Sequence, residues 1–260
     1  MKERIDILLV ERGLAESRTK AQWLIRNGYI FVNSKIISKP SKRFEKFIEI
    51  RLLKEFPYVG RGGIKLEKAI EDFSIDVKKK VCVDIGASVG GFTDCLIKKG
   101  ALKVYAIDTA TNLLHTSLLN ETLQDKIIPI SGVDARNSLP IDELVDLCTI
   151  DITFTSLREV LPNVKNLLRK EGDILALVKP LFEIDFHTQE KFRRINNSNQ
   201  LSKILIELIQ WLKHNDFFIY GITKSTQLEK KGSKEFFLHL KLKKSSFDLD
   251  YKELIRDMLI

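Results

Sequence analysis

The chain has 260 residues, 44% of them hydrophobic, and a formal charge of +8, enough for one large α/β domain and a small module. No apolar run approaches the roughly 20 residues that span a bilayer, so stable membrane insertion is not expected, and MKERIDILLVERG carries charges too early for a secretory signal. Cys82, Cys95 and Cys148 have neither an even count nor a CxxC spacing, which suggests no disulfide framework and no metal, and suits a reducing cytoplasm.

The charge is uneven along the chain. Residues 1–60 hold 13 Lys+Arg against 7 Asp+Glu, a net +6, and residues 61–260 hold only +2. A basic end on a nearly neutral body points to a polyanion-docking module, RNA or an anionic membrane surface, joined to a second function.

In the first quarter, IDILLVERG places Ile5, Leu8 and Leu9 at helical spacing, with Gly13 as the stop. Ser17 is a cap for a second helix, SRTKAQWLIRNG, with Ala21, Leu24 and Ile25 inward, Arg18, Lys20 and Arg26 outward, and Gly28 at its end. Two β-like pieces, YIFVN and KIIS, turn through Asn33 and Ser34, and a basic tract, 39–46, leads to a last strand, FIEIRL. The order R-I-D-x-L-L-x-x-x-G-L, S-R-x-x-A-x-x-L-I, G-x-I-x-V-N resembles the S4-type RNA-binding module over about residues 4–52. That resemblance implies RNA docking through the second helix, with Arg18, Lys20 and Arg26 as phosphate contacts; Lys39, Lys42, Arg43 and Arg61 extend the candidate set. Ser34 stands where the module usually has glycine.

From Phe56-Pro57 onward strands and helices alternate, the sign of a doubly wound parallel sheet. GRGGIKLEKAIEDF opens a helix with an apolar stripe at Leu66, Ala69, Ile70 and Phe73, and with Lys65 off that stripe. KKKVCVDIGASVGGFTDCLIKKG is strand, glycine loop and helix; Gly86, Gly90 and Gly91 do not make GxGxxG, and Asp84 precedes the first glycine. The next strand, KVYAID, ends in Asp108, and Asp134 follows the third strand, KIIPI. An acid by the loop for an ammonium group, glycines for close backbone approach and an acid for ribose hydroxyls suit S-adenosylmethionine better than a phosphate ligand. The expected contacts are Asp84, Gly86, Ser88, Gly90, Gly91, Phe92, Asp108 and Asp134. Generic α/β nucleotide binding is the competing reading.

VDLCTID then ends in Asp151, DILALVK ends in Lys179, and GSKEFFLHLKL begins near Glu235. Strand carboxyl ends line the ligand crevice of such sheets, and an antiparallel last strand would bring its start to the same edge. Lys65, Asp151, Lys179 and Glu235 are therefore expected to meet. RGGIKL, DIGASVGGFTD, IDITFTSL, LVKPLFE and KEFFLHL resemble the RrmJ/FtsJ type of ribose 2′-O-methyltransferase, which uses a Lys-Asp-Lys-Glu tetrad. With the N-terminal module, the whole chain resembles the TlyA family. The resemblance implies a Rossmann-like S-adenosylmethionine-dependent domain behind a small α+β S4-type domain, acting on cytidine 2′-hydroxyls of ribosomal RNA or ribosomal subunits in the cytoplasm. Expected boundaries are 1–56, 57–245 and a peripheral C-terminal helix, 246–260. The chain departs from that family at 109–114 (TATNLL), at Val133-Asp134 and over 184–199. A non-catalytic RNA-binding scaffold and a membrane-active hemolysin, the latter through the apolar stripe of residues 201–212, are the rival functions.

Overall fold

A computed structural model describes residues 2–33, 35–184, 195, 197–225, 234–244 and 250–259. The chain divides into two compact units, Met1–Arg61 and Gly62–Ile260. The division falls five residues beyond the expected one. Ser34, most of the divergent 184–199 stretch, the Gly232-Ser233 start of the last strand segment and residues 245–249 lie outside the described residues.

The first unit runs β1 (Lys2–Arg4), α1 (Ile5–Glu11), α2 (Arg18–Arg26), β2 (Ile30–Val32), β3 (Lys35–Ile36), β4 (Arg43–Glu45) and β5 (Ile50–Leu52). Ile5 and Leu9 of α1 share a face and pack with Ala21, Leu24 and Ile25 of α2 and Ile30 and Val32 of β2. Each such side chain, taken fully out of water, contributes on the order of 1.5–3 kcal/mol. The Ser17 hydroxyl accepts from Lys20 N at 3.3 Å, starting α2; Gly28, at φ +74°, ends it. The sheet order is β3-β2-β5, and β1 pairs antiparallel with β4. The basic tract is thus partly a strand, because Phe44 alternates inward onto the core between exposed Arg43 and Glu45.

The second unit contains α3 (Gly62–Asp72), β6 (Val81–Ile85), α4 (Gly91–Lys98), β7 (Lys103–Asp108), β8 (Ile127–Ser131), β9 (Val145–Ile150), α5 (Leu157–Lys165), β10 (Leu168–Val178), α6 (Ser198–His214), β11 (Phe218–Lys224), β12 (Phe236–Lys241) and α7 (Tyr251–Leu259). They build a seven-stranded sheet of order β11-β12-β10-β9-β6-β7-β8. From β6 the chain winds outward through β7 to β8, then returns to β9 on the other side. That reversal leaves a crevice between the carboxyl ends of β6 and β9. β12 is antiparallel to β10, with Val178 opposite Phe236. This is the arrangement that brings the start of β12 to the crevice edge.

β6 and the end of β10 are buried on both faces, which is why they read as unbroken apolar runs. Leu201, Leu205, Leu208 and Leu212 of α6 are buried in the same core, so the stripe behind the membrane-active reading is a packing surface. Ile255 and Leu259 of α7 join that core as well. The last helix is therefore built into the second unit rather than peripheral to it.

Candidate active site

The glycine loop leaves β6 at Gly86, whose φ is +83°. A Cβ there would lie 2.4 Å from the Asp151 carbonyl oxygen, so no other residue lets the loop approach the end of β9 this closely. Asp151 N donates to Ile85 O at 2.9 Å, fastening the two strand ends together. At Gly90, φ +89°, a Cβ would strike Leu118 at 2.3 Å. Ser88 is left-handed too, at φ +50°, and its N–H donates to Asp108 Oδ2 at 2.8 Å, while Ala110 N donates to Oδ1 at 2.9 Å.

Beside this loop lies a cavity of about 390 Å³, within the roughly 300–1,000 Å³ usual for small-molecule sites. Gly86, Ser88, Asp108 and Asp134 line it, with Asp151, Lys179 and apolar Ile85, Ile107 and Val133. Three carboxylates and one ammonium make a poor cradle for a polyphosphate and a good one for a cationic ligand bearing hydroxyls. Each Asp108 oxygen keeps a lone pair beyond its backbone bond. The residues present fit S-adenosylmethionine. Thr109 and Leu113, from the divergent segment, and Val133 are wall residues, so the departures from the family pattern fall on the cavity itself.

Four expected cofactor residues stand elsewhere. Asp84 is wholly buried; it accepts from Thr93 Oγ1 at 2.7 Å and Thr149 Oγ1 at 3.0 Å. Burial pushes its carboxyl up to about 7, against those two hydrogen bonds. It braces β6 against β9 and α4 and is not among the residues that line the cavity. Gly90, Gly91 and Phe92 shape the turn into α4 rather than the wall, and the Phe92 ring is buried 6.0 Å from that of Phe237.

The four charged residues converge. Lys179 Nζ pairs with Asp151 Oδ1, and Lys65 Nζ pairs with Glu235 Oε2 at 2.5 Å. The β10–β12 register sets Lys179 against Glu235. Glu235 is buried, which raises its carboxyl above the usual range; Lys65 and Lys179 oppose the rise and Asp151 adds to it. Its Oε1 has no hydrogen-bond partner among the described residues. Lys65 reaches the site because Gly62 lets α3 close onto α4, where a Cβ would sit 3.1 Å from the Phe92 ring.

Sequence reasoning missed three features here. Glu183, buried, accepts from Ser156 Oγ at 2.6 Å, Leu157 N at 2.9 Å and Arg158 Nη1 at 3.0 Å. It thereby ties the segment after Lys179 to the segment after Asp151. Phe154 is 83% exposed at φ +66°, a conformation bulky side chains rarely adopt, with its ring 5.5 Å from that of Phe182. Thr155 lines the cavity with an unpartnered buried hydroxyl among the described residues. The signal in the sequence was their place in the IDITFTSL and LVKPLFE segments beside Asp151 and Lys179.

In the first unit, Arg26, Lys39, Lys42 and Arg43 are exposed, and Arg61 is half-buried. Lys20 is a correction: it is buried, paired with Glu16 at 2.5 Å, with its ammonium 5.4 Å from the Phe56 ring. Its long apolar stem fills the inner face of α2. Arg18 bonds to Asp6 Oδ2 at 3.1 Å.

The profile of the FtsJ-like methyltransferases matches residues 58–242, and that of the S4 domain matches residues 3–46. Hemolysin A of Brachyspira hyodysenteriae is 34% identical, over 91% of this chain and 98% of its own. The 16S/23S rRNA (cytidine-2′-O)-methyltransferase TlyA of Mycobacterium tuberculosis (strain ATCC 25618 / H37Rv) is 31% identical, over 92% of this chain and 89% of its own. A solved structure of a hemolysin-named protein from Streptococcus thermophilus aligns with a TM-score of 0.72 and 32% identity, covering 99% of this chain and 94% of that one.

Proposed function

The chain belongs to the TlyA family of S4-linked, FtsJ-like methyltransferases, and on that premise we propose that it methylates the 2′-hydroxyl of cytidine ribose in ribosomal RNA. The observation that carries this reading is the Lys179–Asp151 ion pair lining the glycine-loop cavity, with the Lys65–Glu235 pair set against it across the β10–β12 register. When bound there, S-adenosylmethionine supplies an electrophilic methyl group on a sulfonium. Gly86, Ser88, Asp108 and Asp134 are the residues that would hold it.

A ribose hydroxyl is a poor nucleophile until its proton leaves. As the C–O bond forms and the bond to sulfur breaks, the hydroxyl proton passes to a carboxylate of the tetrad, while Lys179 donates to the oxygen and stabilises the negative charge growing on it. Asp151 fixes the direction of the Lys179 ammonium. Lys65 and Glu235 position the sugar. Exposed Phe154 offers its face to the base of the target nucleotide. The substrate is ribosomal RNA within a ribosomal subunit, and the reaction belongs to the cytoplasm, where those particles are.

The test is transfer of labelled methyl from S-adenosylmethionine to ribosomal RNA and isolated subunits, followed by mapping of ribose methylation. Label at a cytidine 2′-oxygen is expected. Intact cofactor and RNA binding without transfer to any ribosomal RNA or subunit would replace this reading with the non-catalytic scaffold.

A further inference from the structure

Arg4 and Arg18 of the first unit share one acid. Asp6 is fully buried and accepts four hydrogen bonds: from Arg4 Nε at 2.8 Å, Arg4 Nη2 at 2.9 Å, Arg18 Nη2 at 3.1 Å and Gln22 Nε2 at 2.7 Å. The two guanidiniums face solvent on their other side, with side-chain exposures of 31% for Arg4 and 55% for Arg18. Each guanidinium has five donors in a rigid fork. Arg4 spends two on Asp6 and Arg18 spends one, so seven have no acceptor among the described residues.

The basic tract is fastened to the same place. Ile5 N donates to Lys42 O at 2.8 Å and Asp6 N to Pro40 O at 3.3 Å. This brings residues 40–42 onto the start of α1, beside Arg4. Ser38, Lys39, Ser41 and Lys42, with Ile36 and Ile37, line a concavity of about 480 Å³. Lys39 and Lys42 have no carboxylate partner among the described residues. Arg26, in contrast, lies eight residues along α2 from Arg18, about 12 Å away.

We propose that Asp6 is a positioning residue for RNA binding, which holds Arg4 and Arg18 as one preorganised clamp for a backbone phosphate. The inference rests on the reading that this unit docks RNA, and it adds Arg4 and an acid to the docking site. A mobile arginine must be immobilised when it binds a phosphate, and that ordering subtracts from affinity. Asp6 has done the ordering beforehand. It cancels one positive charge of the cluster, yet the remaining fork geometry is fixed, and paired guanidiniums bind phosphate oxygens through directed hydrogen bonds.

The opposing charge makes the test sharp. On charge alone, Asp6→Asn should tighten RNA binding, because a negative group near the phosphates is gone. Preorganisation requires the reverse: about tenfold weaker binding of ribosomal RNA by the full chain. The slope of log K against log salt should also be shallower by roughly 0.7 to 0.9, one phosphate contact. Binding that is unchanged or tighter overturns the proposal. Arg4→Lys and Arg18→Lys keep the charge and lose the fork, so each should weaken binding severalfold even if Asp6→Asn fails to fold. Unchanged affinity in both lysine variants also overturns it.

Calorimetric S-adenosylmethionine binding, unaltered in these variants, shows that the second unit is intact. If the wild-type chain binds anionic vesicles and no RNA, the docking reading itself fails, an outcome distinct from the failure of Asp6 alone.

Discussion

Strands β10 and β12 carry a charged cluster toward each end. At one, Lys179 and Glu235 meet Asp151 and Lys65. At the other, about 20 Å along the strand, Asp173 accepts from His239 Nε2 at 2.8 Å, Lys80 Nζ at 2.8 Å and Lys241 Nζ at 3.0 Å. The His239 ring lies 5.5 Å from both Phe73 and Tyr220. Burial works against the Asp173 carboxylate, but its three partners hold it well below the usual range. One cluster is closed, with its acid hydrogen-bonded by three partners; the other borders a cavity at Asp151 and Lys179 and leaves Glu235 Oε1 without a partner among the described residues. A satisfied buried network fixes a fold, whereas a partly satisfied one beside a cavity is equipped to receive a substrate.

Substitutions at the two ends should separate these roles. Lys179→Ala should lower methyl transfer by about 10³-fold or more, with the S-adenosylmethionine Kd within about threefold and little change in Tm; near-normal turnover would remove Lys179 from the chemistry. Asp173→Ala should do the opposite. Loss of a buried acid that faces two lysines costs about 3–5 kcal/mol, seen in denaturant unfolding, with kcat of the folded fraction retained. Asp173 has a depressed folded pKa, so its stabilising contribution is present above the ordinary aspartate range near 4 and is lost as pH falls below it. Acid unfolding of Asp173→Ala should accordingly be flatter than that of the wild type.

Glu183→Ala sharpens the contrast, because this acid is buried and satisfied yet joins the segments that follow Asp151 and Lys179. Its loss should reduce kcat about 10- to 100-fold, with RNA and cofactor affinities retained and with partial recovery in Glu183→Gln. A matching fall in RNA affinity would make it a binding residue instead. Phe154→Ala should raise KM for RNA about tenfold, the worth of one stacked base, and leave cofactor binding alone.

At Asp84 the expected effect depends on pH. With a folded pKa of about 7, its contribution to stability is full below the unfolded value near 4 and is lost as pH rises through 7. The Tm difference between Asp84→Asn and wild type should therefore move in favour of the variant between pH 4 and pH 8. A pH-independent difference would mean that Asp84 ionises normally.

The sheet and the tetrad were legible in the sequence because buried parallel strands read as apolar runs, and a charge at the end of such a run stands out. Glu235 was legible only with the added inference that its strand runs antiparallel. Lys20 misled because helical spacing alone cannot distinguish an outward lysine from one whose stem packs inward and whose ammonium reaches Glu16. The packing of Asp84 was not legible for a related reason. Its place before a glycine loop suggests a ligand contact, but strand alternation turns it toward Thr93 and Thr149. Glu183 and Asp6 fall within the LVKPLFE and R-I-D patterns, but no spacing assigns them a role, since their partners are set by tertiary contact.

The Lys65–Glu235 pair joins residues 170 positions apart in the chain. A growing polypeptide exposes the docking unit, the glycine loop, Asp151 and Lys179 well before β12 is made. Until then Lys65 has no Glu235 to meet and β10 lacks its neighbour on one side. The candidate site is thus completed late in synthesis, once β12 pairs with β10 and Glu235 meets Lys65.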